Sequence, residues 1–406
     1  MKKLFWVALC VGLLVCGLVA CGRPGTPVAT PTAVITKLPT PQYSDYVAIL
    51  VVDDFNSPRN TEPPATPPVT DKKTQTVDGL CVAALREQEV FIGRGGCLGN
   101  YCGRPHGELV YEEIKTQIIS YTHFITFTSV PTSPALPEAW RMEMGETREG
   151  NILLVAVDTQ GFKTSVIRDQ IATVVSKLTS NNLSAPLEPL TRGMVLNMSF
   201  VFVPCQRIAD AQVYLRELGR SGYDLQFITD MQNDPLYNFV IGETKGIIAG
   251  VPTVVVAAAG NESADFPYAP AILPNIISVS ASPVGVPDRV CLELSGDLAN
   301  RCLNNQNRPV AWYSNYGKVA LDGNHSTATV TLTDTFPITI TIPLPGTSFA
   351  APKMSFMVAK SLLRMSEDSL LQLRDKCPSF YPLNDIDNTD WKNENRPLTI
   401  TDNPCH

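Results

Sequence analysis

Residues Val47–Val52, VAILVV, decide the fold class of this chain. The run is short, wholly apolar and rich in β-branched side chains, which is typical of a strand buried on both faces. Similar runs occur at Ile152–Val157, Val195–Met198 and Thr253–Ala259. Strands without polar alternation are characteristic of parallel sheets covered by helices on both sides, so these runs predict such a sheet.

Helical patterns lie between the predicted strands. The apolar positions that share a helical face are Val110, Ile114 and Ile118, then Ile167, Ile171 and Val175, and then those of Ala211–Leu218. Strands that alternate with helices predict an α/β fold, a three-layer sandwich with a mostly parallel central sheet. Such sheets bind ligands at the carboxyl ends of their strands, so we expect the functional residues there.

Composition limits the function only weakly. The chain has 406 residues, 44% of them hydrophobic, which is enough for a substantial core in one large or two modest domains. Its formal net charge is −7, and no basic run occurs along the chain. A nucleic-acid partner is therefore not expected.

The N-terminus has the features of an export signal. Lys2 and Lys3 precede the apolar run Leu4–Ala20. The segment Leu18–Cys21, LVAC, resembles the lipobox of bacterial lipoproteins. That resemblance implies lipidation of Cys21, cleavage before it, and an extracytoplasmic protein anchored to the cell membrane. The alternative is an uncleaved helical anchor, for which the apolar run is at the short end.

Composition also suggests the domain boundaries. We expect a signal peptide at 1–20, a proline- and threonine-rich linker at 21–43, one folded domain at 44–366 and a tail at 367–406. Residues 56–105 are polar, contain three cysteines and are rich in glycine and proline, so we expect an insertion in the folded domain, held by disulfides.

Cysteine content agrees with export. Of eleven cysteines, two lie in the predicted signal and Cys21 follows it, which leaves an even set of eight. Outside the cytosol such a set favours disulfides over metal binding, although eight cysteines allow 105 pairings. Proximity in sequence makes Cys291 with Cys302 and Cys377 with Cys405 plausible pairs. No metal site is predicted, because the pair Cys97 and Cys102 has no second close pair.

Three residues stand out for their chemistry. Asp53 directly follows the first strand, and His106 precedes a helical pattern. Taken alone, each is better explained by a structural role. Ser348 lies in PGTSFAAP, Pro345–Pro352, directly before the apolar stretch Lys353–Met365. A serine that opens a helix places its backbone N–H beside whatever binds its hydroxyl.

Four ordered segments resemble the motifs of subtilisin-like serine peptidases. GTSFAAP is similar to the motif of the active serine, VAILVVDDF to that of the aspartate, HGELV to that of the histidine, and VVVAAAGNES to the segment of the oxyanion asparagine. They occur in the family's order of aspartate, histidine and serine. VLNMSF at 195–200 and YSNYG at 313–317 are weaker matches.

The resemblance implies a serine endopeptidase acting on protein or peptide substrates. It assigns the nucleophile to Ser348, the general base to His106 and the orienting carboxylate to Asp53 rather than Asp54. It assigns an oxyanion donor to Asn261. The substrate-binding residues that it implies are Ser199, Phe200, Val201, Ala258, Ala259 and Gly260. Catalysis of this kind requires no cofactor; structural calcium occurs in relatives, but no ligand set can be identified from this sequence.

The chain departs from the family at four positions. Phe55, Leu109, Lys353 and Val201 replace a frequent glycine, histidine, histidine and glycine respectively. None of them removes a predicted catalytic group. They leave open the alternative of a catalytically silent, peptidase-like binding module at the cell surface.

Overall fold

The structure is a computed structural model. It describes residues 46–55, 79–84, 106–121, 127–129, 141–147, 149–159, 163–179, 191–223, 225–242, 247–248, 251–273, 276–283, 297–305, 307–325, 329–331, 339–341 and 344–365. The chain divides into two units, Met1–Pro41 and Gln42–His406, and every described residue belongs to the second.

The described strands include all four that the sequence predicts. They are β1 (Tyr46–Asp53), β2 (Leu80–Ala84), β3 (Phe127–Ser129), β4 (Met142–Thr147), β5 (Gly150–Asp158), β6 (Gly193–Met198), β7 (Phe200–Pro204), β8 (Ile247–Ile248), β9 (Val251–Ala258), β10 (Ile276–Ala281), β11 (Val319–Leu321), β12 (Asn324–His325), β13 (Thr329–Thr331), β14 (Thr339–Thr341) and β15 (Leu344–Pro345).

The main sheet contains nine of these strands, eight of them in the order β11-β10-β9-β6-β1-β5-β4-β3, with β8 paired to β9. The strands from β11 to β5 in that order are all parallel to their neighbours. The pairs β5–β4, β4–β3 and β9–β8 are antiparallel. The prediction of a mostly parallel sheet is confirmed.

The described α-helices are α1 (His106–Tyr121), α2 (Thr164–Thr179), α3 (Ala211–Ser221), α4 (Leu225–Gln232), α5 (Pro235–Tyr237), α6 (Asp297–Asn304) and α7 (Thr347–Arg364). The first three long ones coincide with the helical patterns of the sequence. α7 follows β15 and contains Pro352.

The core consists of two apolar layers separated by the main sheet. All eight residues of β1 are buried. Its alternate residues Val47, Ile49 and Val51 belong to one cluster, together with residues of α1 and α7. The residues between them belong to the other cluster, together with residues of α2 and α4. Successive side chains of a strand point to opposite faces, so this division confirms a three-layer sandwich.

A two-stranded ribbon joins the predicted insertion to β7. The sequence predicts that residues 56–105 form an insertion held by disulfides; β2 lies inside this range and pairs antiparallel with β7. The Sγ atoms of Cys81 and Cys205 form a disulfide across the ribbon. The sequence did not identify this pairing, because 124 residues separate the two cysteines.

Of the two disulfides that the sequence predicts, Cys291–Cys302 and Cys377–Cys405, the structure describes only Cys302. Cys302 is disulfide-bonded, and its partner lies outside the described residues. Cys291, Cys377 and Cys405 also lie outside them, so both predicted pairs stay predictions.

The predicted signal peptide, linker and tail lie outside the described residues. Within the described part of the chain, no helix is both long enough and apolar enough to cross a membrane. The boundaries 1–20, 21–43 and 367–406 and the lipidation of Cys21 therefore stay predictions.

An ion-pair cluster joins β4 to α1. Glu143 accepts hydrogen bonds from Lys115 Nζ at 2.7 Å and from Arg141 Nε at 3.1 Å. Burial alone would raise the pKa of Glu143, but the Lys115 hydrogen bond and the two positive charges outweigh burial and lower it. A carboxylate with a lowered pKa stabilises the fold at neutral pH and loses that contribution as it becomes protonated.

We predict that Glu143→Gln lowers the free energy of unfolding by about 1 kcal/mol at pH 7, because both cations are partly exposed and screened. The difference from the wild type should persist above pH ~4.3, the unfolded pKa of glutamate, and shrink as the pH falls further through the folded pKa. Urea unfolding at several pH values measures it. Glu146→Gln, at an exposed position of the same strand, is the control; an equal loss there, or a loss independent of pH, would contradict the prediction.

Candidate active site

Three predicted site residues lie at the same edge of the main sheet. β1 ends at Asp53, β6 is followed by Ser199, and Asn261 follows β9 within a few residues. Because β1, β6 and β9 are parallel neighbours, their carboxyl ends are adjacent. The structure therefore places these candidates at the edge where parallel sheets bind ligands.

Asp53 and His106 form a buried pair. The imidazole Nδ1 lies 2.9 Å from both carboxylate oxygens, and the two residues are 2% and 3% exposed. Asp54 donates its backbone N–H to Asp53 Oδ1 at 2.8 Å. An ionised carboxylate only accepts hydrogen bonds, so Nδ1 carries the proton and Nε2 remains as the basic nitrogen.

Gly107 allows α1 to begin directly against the end of β1. Its N–H donates to the Asp54 carbonyl at 2.8 Å. A Cβ at this position would lie 2.8 Å from that oxygen and 3.0 Å from Asp53 Cβ. A larger residue would push His106 away from the Asp53 carboxylate. The close approach of α1 to the end of β1 therefore requires glycine at position 107.

Ser348 lies in the first turn of α7 and is fully buried. Pro352 is four residues further on, so it cannot donate the helical hydrogen bond to the Ser348 carbonyl. The hydroxyl of Ser199 donates to that carbonyl instead, at 3.2 Å. Ser199 therefore supplies the donor that Pro352 lacks.

Ser199 is part of a buried polar network that joins β6 to α7. Asn197 Nδ2 donates to Ser199 Oγ at 3.0 Å, and Ser355 Oγ donates to Asn197 Oδ1 at 2.9 Å. Asn197, Ser199 and Ser355 are fully buried. Buried polar groups that satisfy one another in this way fix a single local geometry, here that of the Ser348 turn.

Asn261 is oriented by Thr347, the residue before the serine. Its Oδ1 accepts hydrogen bonds from the N–H and the hydroxyl of Thr347, both at 3.0 Å. Since an amide oxygen must face these donors, the opposite end of the amide is the NH₂ group. This Nδ2 is buried and has no hydrogen-bond partner among the residues that the structure describes. A buried donor without an acceptor is costly, so it needs an explanation.

The loop that carries Asn261 depends on Gly260 and Asn315. Gly260 has φ +112°, and a Cβ there would lie 2.5 Å from Asn315 Nδ2. Asn315 Oδ1 accepts the N–H groups of Glu262 and Ala264, and its Nδ2 donates to the Ala259 carbonyl. Sequence reasoning assigned no role to Asn315, although its segment YSNYG was one of the weaker matches.

The predicted substrate-binding residues surround this edge but are buried. Ser199 binds the Ser348 turn, and Phe200 and Val201 begin β7, where they face Ala84 and Ala83 of β2. The remaining three, Ala258, Ala259 and Gly260, end β9 and lead into the Asn261 loop. The structure thus brings the six together, with Ser199 holding the serine turn.

The departures from the family leave the candidate groups in place. Phe55 donates its N–H to Asp158 Oδ1 at 3.0 Å and packs edge-on to Tyr111. Leu109 is buried in α1. Lys353 Nζ donates to the carbonyl and carboxylate of Asp322 at 2.8 and 2.9 Å. None of these contacts displaces Asp53, His106 or Ser348.

The described residues contain no group of three or more histidine, cysteine, aspartate or glutamate side chains placed to hold a metal ion. The cofactor prediction is neither supported nor contradicted by this finding. The chemistry that the described groups can perform is proton transfer by His106 and donation of hydrogen bonds by Asn261.

Comparison with known proteins points to one family. The profile of the Subtilase family of peptidases matches residues 217–375, which include Asn261, Asn315 and Ser348. Asp53 and His106 lie outside the matched residues. The matched family consists of serine-type peptidases, and the match agrees with the three-layer α/β fold. Comparison with curated proteins gave no match.

Two solved structures show a more distant likeness. One is a mutant of the protease domain of PatA, with a TM-score of 0.26 and 17% identity over 52% of this chain and 54% of that chain. This chain therefore spans about half of that protein. The other is the prenylagaramide maturation protease PagA, with a TM-score of 0.29 and 16% identity over 84% of this chain and 79% of that chain. At these TM-scores neither structure supports a residue assignment.

We predict that Ser199→Ala lowers the free energy of unfolding by about 1–3 kcal/mol, because it leaves the Ser348 carbonyl and the Asn197 amide without their buried partner. Thermal or urea unfolding measures the loss. Ser361→Ala is the matched control, since the Ser361 hydroxyl donates to the Met357 carbonyl within the same helix and should contribute less than about 0.5 kcal/mol. Equal losses in the two variants would refute the role of Ser199.

Proposed function

Because the profile of the Subtilase family matches residues 217–375, we propose that this chain is a serine endopeptidase with Asp53, His106 and Ser348 as its triad and Asn261 as its oxyanion donor. The observation that carries the proposal is the orientation of Asn261. Thr347 holds its oxygen, so its unpartnered, buried NH₂ is available at the turn that contains Ser348.

The first chemical step is attack by Ser348 Oγ on the carbonyl carbon of the peptide bond. His106 Nε2 accepts the hydroxyl proton and later gives it to the leaving amine. Asp53 keeps the proton on Nδ1 and stabilises the imidazolium that forms. Its two contacts of 2.9 Å to Nδ1 support this role. Water then hydrolyses the acyl-enzyme by the same proton transfers in reverse.

The tetrahedral intermediates carry negative charge on the former carbonyl oxygen. Asn261 Nδ2 and the backbone N–H of Ser348 are the proposed donors to this oxygen. The first N–H groups of a helix have no acceptor within the helix, so the Ser348 N–H is suited to the role. The positive end of the α7 dipole adds to the stabilisation.

We also propose that the mature protein is anchored by lipid at Cys21 and acts on proteins outside the cytoplasm. The basic and apolar residues before Cys21 support export. The disulfide between Cys81 and Cys205 also supports it, because such bonds persist in oxidising compartments. The prolines of residues 21–43 would hold the folded domain away from the membrane.

A second candidate function is a binding module that does not turn over. The burial of both His106 and Ser348 favours it, since a peptide must reach them. The complete set of catalytic groups favours the peptidase. A chemical probe for an activated serine separates the two.

We predict that a fluorophosphonate probe labels the purified protein at Ser348, because an activated serine attacks the probe's phosphorus. Ser348→Ala should abolish labelling, whereas Ser361→Ala, on the same helix, should not change it. Asn261→Ala should reduce peptide turnover by a factor on the order of 10²–10³, the loss known for removal of the comparable donor in subtilisin. The readouts are gel fluorescence and hydrolysis of a quenched peptide.

Two results would contradict the triad. One is the absence of labelling in folded protein, both with the Cys81–Cys205 disulfide intact and with both cysteines replaced by alanine. The other is labelling that survives Ser348→Ala. The first result would favour the binding module.

We predict that Cys21→Ser moves the protein from the membrane fraction to the soluble fraction of the expressing cells and abolishes incorporation of radioactive fatty acid. A thiol at position 21 is required for lipidation, and stable anchoring needs more than one acyl chain. Cys16→Ser, inside the predicted signal, is the control and should leave both properties unchanged. Membrane retention of both variants would favour the uncleaved helical anchor.

A further inference from the structure

The strand β7 leads directly away from the catalytic serine. It begins at Phe200, and the preceding residue, Ser199, donates its hydroxyl to the Ser348 carbonyl. An extended peptide binds a sheet edge by adding a strand to it. A peptide paired antiparallel to β7 would therefore reach the serine turn as it passes Ser199.

The backbone groups that such a peptide would use are identified by the contacts of β7. Phe202 donates its N–H to the Ala269 carbonyl at 2.7 Å, and Cys205 donates its N–H to the Gly79 carbonyl at 3.1 Å. Successive residues of a strand direct their backbone groups to opposite sides. Val201 and Val203 therefore direct theirs to the same side as Cys205, toward β2.

The strand β2 already occupies this edge. Ala83 is paired with Val201 and Cys81 with Val203. On its other side, Cys81 forms a bridge with Lys163, and Leu80 accepts a hydrogen bond from the Thr164 hydroxyl at 3.0 Å. β2 therefore lies between β7, its partner in a two-stranded sheet, and the residues at the start of α2, as an extended peptide in a groove with two walls would.

We propose that β2 is an internal occupant of the peptide-binding edge of β7, locked there by the Cys81–Cys205 disulfide, and that reduction of this bond opens the site to substrate. The proposal rests on the proposed peptidase function. The occupant also indicates the ligand class. Cys81 and Ala83 share an apolar cluster with Val201 and Val203, so the edge fits an extended peptide with small apolar side chains.

The Cys81–Cys205 disulfide is a covalent bond, whereas the other contacts between β2 and β7 are backbone pairing and apolar packing. A dithiol attacks the bond through one thiolate, forms a mixed disulfide and then closes to its own cyclic disulfide. The reductant loses two electrons, and Cys81 and Cys205 become thiols. After reduction, β2 is held by its backbone hydrogen bonds to β7 and by apolar burial. A substrate strand that offers the same kinds of contact competes with it.

The test compares hydrolysis and serine labelling in full-length protein. The variants are Cys81→Ala/Cys205→Ala, which has no lock, and Ala83→Pro, which keeps the lock but loses the N–H that faces Val201. Both are checked for folding by near-ultraviolet circular dichroism. The substrate is dye-quenched casein, an unfolded protein, and a fluorophosphonate reports the serine independently of strand pairing.

We expect the double variant to hydrolyse casein at least about tenfold faster than the oxidised wild type, which corresponds to a shift of one decade in the open population. Ala83→Pro, in which the disulfide still holds β2, should gain this rate only when a dithiol is added. A dithiol should accelerate the wild type but not the double variant. Because both proteins retain Cys302, that comparison isolates the Cys81–Cys205 bond. A synthetic peptide copying Leu80–Ala84, with serine in place of cysteine, should inhibit the double variant competitively.

The outcomes separate the two proposals. If the serine is labelled but the folded double variant does not hydrolyse casein faster than the oxidised wild type, β2 is a permanent wall of the site and the inference is wrong. Faster hydrolysis by Ala83→Pro with its disulfide intact would show that the bond is not the lock. If no folded form is labelled, the peptidase function itself is wrong. Faster hydrolysis with inhibition by the peptide supports the locked strand.

Discussion

The buried carboxylate of Asp53 determines how the end of β1 and the start of α1 are arranged at the candidate active site. It lies at the end of a strand whose residues are all buried, where an unpaired charge would be expensive. His106 and the Asp54 N–H satisfy it, and this requirement fixes where α1 begins. Gly107 is the residue that lets the helix approach so closely. One electrostatic requirement thus couples the central strand of the sheet to the layer of helices above it.

The serine turn is located by its neighbours more than by its own helix. Pro352 removes the helical donor of the Ser348 carbonyl, and Ser199, at the end of β6, replaces it. Thr347, on the other side of the serine, is bound to Asn261, which follows β9. Two strand ends therefore hold the first turn of α7. The same bonds leave the Asn261 NH₂ without an acceptor, which links the packing of the turn to its proposed chemistry.

The ribbon of β2 and β7 connects stability to access. Its alternate residues enter both core layers, so the ribbon is part of the fold and also borders the serine turn. The disulfide joins two segments that are far apart in sequence and close to the site. A strand in this position can be displaced only at the expense of core contacts. Because displacement loses these core contacts, the Cys81–Cys205 disulfide can separate a closed state, with β2 paired to β7, from an open state in which β2 has been displaced.

The sequence by itself determined the buried strands and the helices between them, and it singled out Asp53, His106, Asn261 and Ser348 as candidates. Apolar periodicity and short motifs are local, so they can be recognised without the chain path. Tertiary structure alone decided the Cys81–Cys205 pairing, the position of β2 and the role of Asn315. Eight cysteines allow 105 pairings, and an antiparallel pair with 124 residues between its cysteines leaves no local pattern. Likewise, the orientation of the Asn261 amide, whose NH₂ has no acceptor among the described residues, depends on Thr347, which is remote in sequence and binds its oxygen.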